Sequence, residues 1–345
     1  MPAELPYTTP KYEVSVEQNV VYTRAMGYRK DAPEDSKNAL PVSFGQGKMM
    51  LLDLDMDIYT PVGDPSSKRP LLLMMHGGSF FIGNKEEKGQ VAWCRYFASL
   101  GYVAACINYR MGFNLGKKSY CKAEDRAVED AVAALNYLLE RDDLHIDAEH
   151  IFAAGTSAGA IVALRLAFCP SVGNRRTCAA WGDAGSDAEN SVRRDAVGAA
   201  GSAAGSAAGS AAGSAAGSAA GSAADRKHPR ICAVGNFWGS VRDLSILENA
   251  STPILSFQAT GDPIMPYGGG YPFKKFNWGP TRIFAPYMYG TKAIHDRALE
   301  LGIRAEHHPY PLAKHRLHMD REGNFTPFFY EIRDRMATFF AEELV

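Results

Sequence analysis

Short apolar runs alternate with amphipathic stretches along most of this chain, and this alternation limits its fold more than any other feature of the sequence. The runs have the length and bounding turn residues of buried strands, and they lie at 70–75, 102–108, 151–154, 231–237 and 253–258. Between two of them, residues 123–141 place apolar side chains at the spacing of one helix face. The pattern predicts an α/β fold whose mostly parallel central sheet is flanked by helices on both faces.

Other elements follow from local patterns. Residues 50–58 alternate apolar side chains with aspartates, as a half-exposed strand does. The aspartates resemble the beginning of a calcium-binding loop, but Ile58 stands where such a loop needs glycine, so we expect no metal there. Further helices are predicted at 289–301 and from Pro327 onward, with Thr326 as the N-cap of the latter.

One segment has no capacity to form a core. Residues 201–224 repeat Gly-Ser-Ala-Ala six times, and the low-complexity stretch begins at 198. Such a composition is typical of a spacer. Perfect repetition favours an engineered linker or a loop replacement, with natural low complexity as the alternative. We therefore expect a single α/β domain over 1–345, interrupted within one crossover by the insertion at 198–224.

Charge, hydropathy and cysteine spacing exclude several classes of protein. The chain has 37 Lys and Arg against 38 Asp and Glu, so it lacks the basic field that nucleic acid requires. Its apolar stretches are far shorter than the roughly 18–20 residues that span a bilayer, and its first residues do not resemble a signal peptide. The six cysteines form no C-x-x-C pair, which argues against a zinc ribbon or a thioredoxin-like centre. Compartment (cytoplasmic, or secreted after signal removal), disulfide state and oligomeric state stay open.

A serine between small residues follows the apolar run 151–154. The pentapeptide at 155–159 is G-T-S-A-G, and helix-like residues come next. G-x-S-x-G between a strand and a helix is typical of a nucleophile turn, because small neighbours let the backbone bend sharply and project the hydroxyl. We predict Ser157 as the nucleophile; the alternative is an ordinary serine in a glycine-rich turn.

A glycine pair follows the run 70–75, in the sequence His76-Gly77-Gly78-Ser79. Glycines let backbone N–H groups approach a ligand oxygen, as an oxyanion hole demands. We predict the N–H groups of Gly77 and Gly78 as donors, with that of Ala158 as a third. The alternative is a turn that merely ends a strand. His76 is expected to brace this loop by hydrogen bonding and not to act as a base.

An acid and a base are expected after the serine, each at the end of a later strand. The run 253–258 leads into Asp262, and the strand predicted at 304–310 leads into His315. We predict Asp262 as the acid that orients an imidazole, the alternative being a plain turn aspartate. His315 is the favoured base, and His318, three residues on, stays as the alternative.

These motifs resemble the α/β-hydrolase superfamily, and within it the carboxylesterases and hormone-sensitive-lipase-like esterases, over about residues 48–345 without the repeats. The resemblance implies ester hydrolysis through an acyl-enzyme, with a Ser157, Asp262 and His315 triad, Gly77, Gly78 and Ala158 as oxyanion hole, and neither cofactor nor metal. Two departures stand out. Ser79 replaces the third glycine of the commoner HGGG loop, and the base lies in Ala-Lys-His where Gly-x-Gly-His is commoner.

Aromatic residues near the predicted strand ends are candidates for the walls of a substrate pocket. They are Phe80, Phe81, Trp238 and Tyr267, the last at the start of an aromatic-rich stretch. The alternative is a hydrophobic cluster beneath a surface loop. We expect a small-molecule or carbohydrate-linked ester, such as an acetylated or feruloylated carbohydrate, with a short or medium acyl chain. A peptidase, a thioesterase and an inactive hydrolase-fold binding module are the alternatives.

Overall fold

An eight-stranded sheet forms the centre of the computed structural model. The structure describes residues 5–28, 49–113, 116–169, 229–274, 283 and 285–345. Across the sheet, the strands within these residues are β1 (Glu13–Tyr28), β2 (Met49–Val62), β4 (Val103–Ile107), β3 (Arg69–Met75), β5 (Ile146–Thr156), β6 (Ile231–Phe237), β8 (Ile254–Ala259) and β11 (Ala305–Tyr310). The last six are mutually parallel, whereas β1 and β2 pair antiparallel. The predicted α/β-hydrolase fold class is confirmed.

Helices lie between the parallel strands. In the described residues they are α1 (Lys88–Leu100), α2 (Lys117–Leu139), α3 (Ala158–Phe168), α4 (Thr291–Glu300) and α5 (Pro327–Ala341). A small sheet joins β7 (Ser240–Val241), β10 (Met288–Gly290) and β9 (Gly269–Gly270). No helix among these residues has the length and apolarity that a membrane crossing requires.

Both faces of the central parallel strands are buried. On one face, α1 and α5 pack together through Trp93 and Phe329, whose rings stack at 5.2 Å, and Phe340 of α5 stacks on Phe152 of β5. The alternate residues of β5, Ile151 and Ala153, point to the other face and have no solvent exposure either. This is the double burial expected of parallel strands covered by helices.

The strand order places a crevice beside β3. The chain passes from β3 outward to β4 and then returns to β5 on the opposite side of β3. In open α/β sheets such a reversal leaves a crevice at the carboxyl ends of the two strands, where ligands bind. Residues following β3 and β5 therefore flank this crevice, and these include Gly77 and Ser157.

Several predicted elements differ in extent. β2 reaches Val62, and α2 begins at Lys117, six residues before the predicted start. Thr326 is the N-cap of α5 by position, but its hydroxyl donates to the carbonyl of Leu317 and does not cap the helix. The insertion at 198–224, and the single-domain organisation that depends on it, lie outside the described residues and stay predictions.

Candidate active site

Ser157 occupies a strained turn between β5 and α3. Its φ of 53° and ψ of −115° lie outside the regions that non-glycine residues favour. The neighbouring backbone explains the glycine at 159: a Cβ there would come within 2.5 Å of the His76 carbonyl oxygen and closer still to that of Met75. The glycine thus lets the beginning of α3 rest directly on the end of β3, so that the serine turn lies against the loop after β3.

His315 lies between Ser157 and Asp262. Its Nε2 is 2.9 Å from Ser157 Oγ, and its Nδ1 is 2.7 Å from Asp262 Oδ2. Because a carboxylate only accepts hydrogen bonds, the short Nδ1 contact favours the tautomer with its proton on Nδ1. Nε2 is then left as the acceptor for the serine hydroxyl.

The Asp262 side chain has no exposed surface, and its carboxylate accepts hydrogen bonds from protein groups where water would otherwise donate them. The backbone N–H groups of Ile264 and Met265 donate to Oδ1 at 2.8 and 3.1 Å. The amide of Gln258 donates to Oδ2 at 3.2 Å, the oxygen that also faces His315. The carboxylate is therefore fixed in position as well as buried.

Two of the three predicted oxyanion donors, Gly77 and Ala158, lie next to the serine. A Cβ built on Gly77 would be 3.4 Å from Ser157 Cβ, so this backbone passes directly beside the nucleophile. Gly78 has a φ of 109° and no room for a side chain against the backbone of Ile82. Ala158 is the first residue of α3, where no carbonyl of the same helix can accept its N–H. Gly77 and Ala158 therefore lie beside the nucleophile, and Gly78 is the next residue of the same loop.

His76 braces the loop after β3, as predicted. Its Nδ1 lies 2.7 Å from the carbonyl oxygen of Gly77, and its ring stacks on that of Tyr109 at 4.3 Å. The Tyr109 hydroxyl donates to the His76 carbonyl at 2.7 Å. Burial raises the pKa of Tyr109, so this hydroxyl keeps the proton that it donates.

His318 lies away from the serine. It is 1% exposed, its ring stacks on that of Trp238 at 5.1 Å, and the Trp93 ring lies 5.3 Å from it. Its Nε2 contacts Glu87 Oε1 at 3.1 Å. Burial alone would raise the pKa of Glu87, but the hydrogen bond to His318 and nearby positive charge bring it below its ordinary value. The structure thus brings His315, and not His318, to the predicted nucleophile.

Two of the predicted pocket residues belong to the core, which corrects that part of the prediction. Phe80 has no exposed surface and packs edge to face on Tyr120, because its positive φ of 60° turns the side chain inward. Trp238 is 1% exposed and lies beneath the triad, with its ring 6.4 Å from that of His315. Neither presents a surface to a substrate.

Phe81 and Tyr267 are half-buried and keep part of their surface. Phe81 packs edge to face on Phe113. Tyr267 stacks on His307 and lines a cavity of about 460 Å³ beside Asp262, to which Lys274 also contributes. The cavity adjoins the acid more closely than the serine.

A buried ion pair holds the far end of the loop after β3, a feature that the sequence analysis missed. The Lys85 side chain is 2% exposed, and its Nζ lies 2.8 Å from Asp57 Oδ1 of β2 and 2.8 Å from Asn19 Oδ1 of β1. Its N–H donates to the side chain of Asn108, directly after β4. Burial opposes the charge, but the Asp57 carboxylate raises the pKa of Lys85, so the ammonium persists. A lysine among the polar residues of a loop carries no sequence signal of such burial.

Comparison with known proteins agrees with this architecture. The BD-FAE family model matches residues 56–275, more than half of the chain. The chain is 29% identical over 121 residues to Gut esterase 1 of Caenorhabditis elegans, a match covering 34% of this chain and 21% of that protein. It is 28% identical over 122 residues to 5-methylorsellinic acid synthase of Aspergillus terreus, covering 32% of this chain and 4% of the synthase. The chain thus spans only a small part of either relative.

Solved structures share the fold at low sequence identity. Apo Thermogutta terrifontis esterase 2 superposes with a TM-score of 0.52 at 17% identity, covering 99% of this chain and 97% of that one. Esterase B from Lactobacillus rhamnosis, inhibited by a tributyrin phosphonate, gives 0.53 at 12% identity, covering 99% and 88%. The propionate-bound form of the Thermogutta esterase gives 0.51 at 18% identity, covering 85% and 90%. At identities this low, the similarity shows a shared fold and nothing further.

Proposed function

This chain belongs to the BD-FAE family, and from that membership and the geometry beside β3 and β5 we propose that it is a serine carboxylesterase. The observation that carries the proposal is the pair of contacts of His315, 2.9 Å to Ser157 and 2.7 Å to Asp262. A hydroxyl, a base and a buried acid in this order form the arrangement that activates a serine for acyl transfer.

The proposed reaction proceeds in two halves. His315 takes the Ser157 proton as Oγ attacks the ester carbonyl carbon, and Asp262 stabilises the imidazolium that forms. The C–O bond then breaks, and His315 returns the proton to the leaving alcohol. Water attacks the acyl-enzyme with the same base, which frees the carboxylic acid and restores the serine.

The charge that develops on the carbonyl oxygen needs fixed donors. The N–H groups of Gly77, Gly78 and Ala158 are proposed to supply them, because Gly77 and Ala158 lie beside Ser157 and Gly78 follows in the same loop. Removal of one such donor typically costs a factor of about 10²–10³ in kcat. Replacement of the third loop glycine by Ser79 is compatible with this role, since a backbone N–H makes the contact.

The proposed substrates are small-molecule or carbohydrate-linked esters of short or medium acyl chains. Support for short acyl groups comes from the neighbours of the same fold, one of which binds propionate and another a tributyrin phosphonate. Phe81 and Tyr267 are the proposed contacts for the substrate, since both keep accessible surface.

Hydrolysis of p-nitrophenyl esters from acetate to decanoate tests the proposal. We expect turnover to be highest for the short chains and to fall by about 10⁴-fold or more in Ser157→Ala. Ser251→Ala, at an exposed serine outside the site, is the matched control and should equal the parent. Absence of turnover, together with absence of fluorophosphonate labelling at Ser157, would favour the inactive binding module. Labelling without ester turnover would favour a peptidase or a thioesterase.

A second pair of variants assigns the base. His315→Ala should lower kcat by about 10⁴–10⁶-fold, because it removes the ring whose Nε2 contacts Ser157 Oγ. His318→Ala should stay within about tenfold of the parent in kcat. It should instead lower the free energy of unfolding by about 2–4 kcal/mol, since it removes a buried ring that packs against Trp238 and Trp93. The reverse ranking of kcat would transfer the role of base to His318.

A further inference from the structure

A hydrogen-bonded chain of side chains continues beyond the acid of the proposed triad. Gln258, at the end of β8, has no solvent exposure. Its Nε2 donates to Asp262 Oδ2 at 3.2 Å and lies within 3.2 and 3.4 Å of the carbonyl oxygens of Met265 and Pro266. Its Oε1 accepts from the hydroxyl and the N–H of Thr291 at 2.8 and 3.3 Å. This glutamine lies in a buried strand that is apolar apart from Ser256, and both ends of its amide are hydrogen-bonded.

The partners of this amide fix which way it faces. Nε2 lies near three acceptors and Oε1 near two donors. A flipped amide would place its oxygen against the three acceptor oxygens and its NH₂ group against the two Thr291 donors. The Thr291 hydroxyl uses its proton toward Gln258. It therefore accepts from Nε2 of His307, which lies 3.0 Å away.

The turn that carries the acid is packed tightly against the beginning of α4. A Cβ on Gly290 would come within 2.6 Å of the Tyr267 carbonyl oxygen and closer still to that of Pro266. The N–H of Lys292 donates to the Tyr267 carbonyl at 3.0 Å. Thr291 therefore cannot move relative to the Asp262 turn without breaking several contacts.

We infer that Gln258 is a positioning residue for Asp262, and that Thr291 sets the orientation of Gln258. The inference rests on the proposed esterase function. Oδ2 of Asp262 accepts hydrogen bonds from both the Gln258 amide and the His315 ring. The amide therefore fixes the orientation of that oxygen toward the imidazole. Positioning of this kind acts on proton transfer in the transition state, so its loss lowers kcat and leaves KM unchanged.

Three variants test the inference. Thr291→Val removes the hydroxyl but keeps the shape, and kcat should fall about tenfold, the effect of one neutral hydrogen bond. Thr291→Ser keeps the hydroxyl and should restore the parental kcat. Gln258→Met removes the amide, and kcat should fall about 10–10²-fold because the lost bond reaches a charged group. Without the amide, Oδ2 is a stronger acceptor for the imidazolium, so the acidic limb of the kcat/KM profile should move to higher pH.

A second measurement does not depend on substrate. The downfield ¹H NMR resonance of the His315 Nδ1 proton reports its hydrogen bond to Asp262 in the free protein. This resonance should shift in Gln258→Met and Thr291→Val and stay at the parental position in Thr291→Ser. If the folded variants keep the parental resonance, the inference is overturned, whatever happens to kcat.

The two proposals fail in distinguishable ways. An inactive parent refutes the esterase proposal, and the position of the resonance then decides whether Gln258 orients the acid. An active parent whose Thr291→Val variant keeps kcat, pH profile and resonance refutes the inference alone. If Gln258→Met does not fold, the Thr291 pair still decides the outcome.

Discussion

His307 provides a prediction of how the stability of this protein depends on pH. The residue lies on β11 next to Thr291, and burial lowers its pKa from 6.5 to about 4. The charges of His295, His308 and Lys292 act in the same direction, and that of Asp296 opposes them. The folded protein therefore favours the neutral ring.

The effect of His307 on stability depends on the difference between its pKa in the folded and in the unfolded chain. A histidine in the unfolded chain takes up its proton near pH 6.5, whereas His307 in the folded chain does so only near pH 4. The stability that the neutral His307 ring contributes is thus fully present above pH 6.5 and is lost as the pH falls toward 4. The full pKa difference corresponds to about 3 kcal/mol in the free energy of unfolding. Because the ring is partly exposed, we expect a smaller change of about 1–2 kcal/mol.

His307→Gln isolates this contribution, because glutamine can still donate to the Thr291 hydroxyl but does not titrate. The free energy of unfolding in urea is measured at pH 7.5 and at pH 4.5 for parent and variant. The parent should lose about 1–2 kcal/mol more than the variant over this interval. His145→Asn, at an exposed histidine, is the control and should follow the parent. Equal losses in parent and His307→Gln would refute the reasoning.

Two further predictions concern packing around the site. Lys85→Met should lower the free energy of unfolding by about 3–5 kcal/mol, because it leaves the buried Asp57 carboxylate unpaired, and adding Asp57→Asn should recover part of that loss. If urea unfolding shows that the loss in the double variant equals the sum of the losses in the two single variants, this prediction is contradicted. Gly159→Ala should lower kcat by about 10²-fold or more, since the new Cβ forces α3 away from β3. Gly268→Ala, where an added Cβ would meet no atom of the described residues within 4 Å, is its control, and equal kcat in both variants would contradict the argument.

The candidate triad could be predicted from sequence because each member comes shortly after a predicted strand, at 151–154, 253–258 or 304–310. The parallel order of β5, β8 and β11 then brings Ser157, Asp262 and His315 together at one edge. Pocket residues were harder to predict, since the position of Phe80 after β3 does not say that its backbone turns the ring inward.

β1 was not predicted, for a physical reason. Its pairing with β2 has register shifts between Glu17 and Val20 and between Val21 and Thr23. Each irregularity reverses the faces that successive side chains occupy, which erases the period-two pattern on which strand prediction depends. Gln258 did carry a signal, as a large polar residue in an apolar strand, but only the fold reveals that Thr291 is its partner.

The burial of Lys85 also determines how the loop after β3 can move. An opening of this loop would have to carry the ammonium out of its contact with Asp57 and break the bond from the Lys85 N–H to Asn108. Segments held in this way exchange their amide hydrogens only through large, cooperative opening events. The Lys85 amide should therefore exchange about as slowly as those of neighbouring β4. The glycines of the loop are held in place before any ligand arrives, and adaptation to ligands of different shape has to occur in other loops of the crevice.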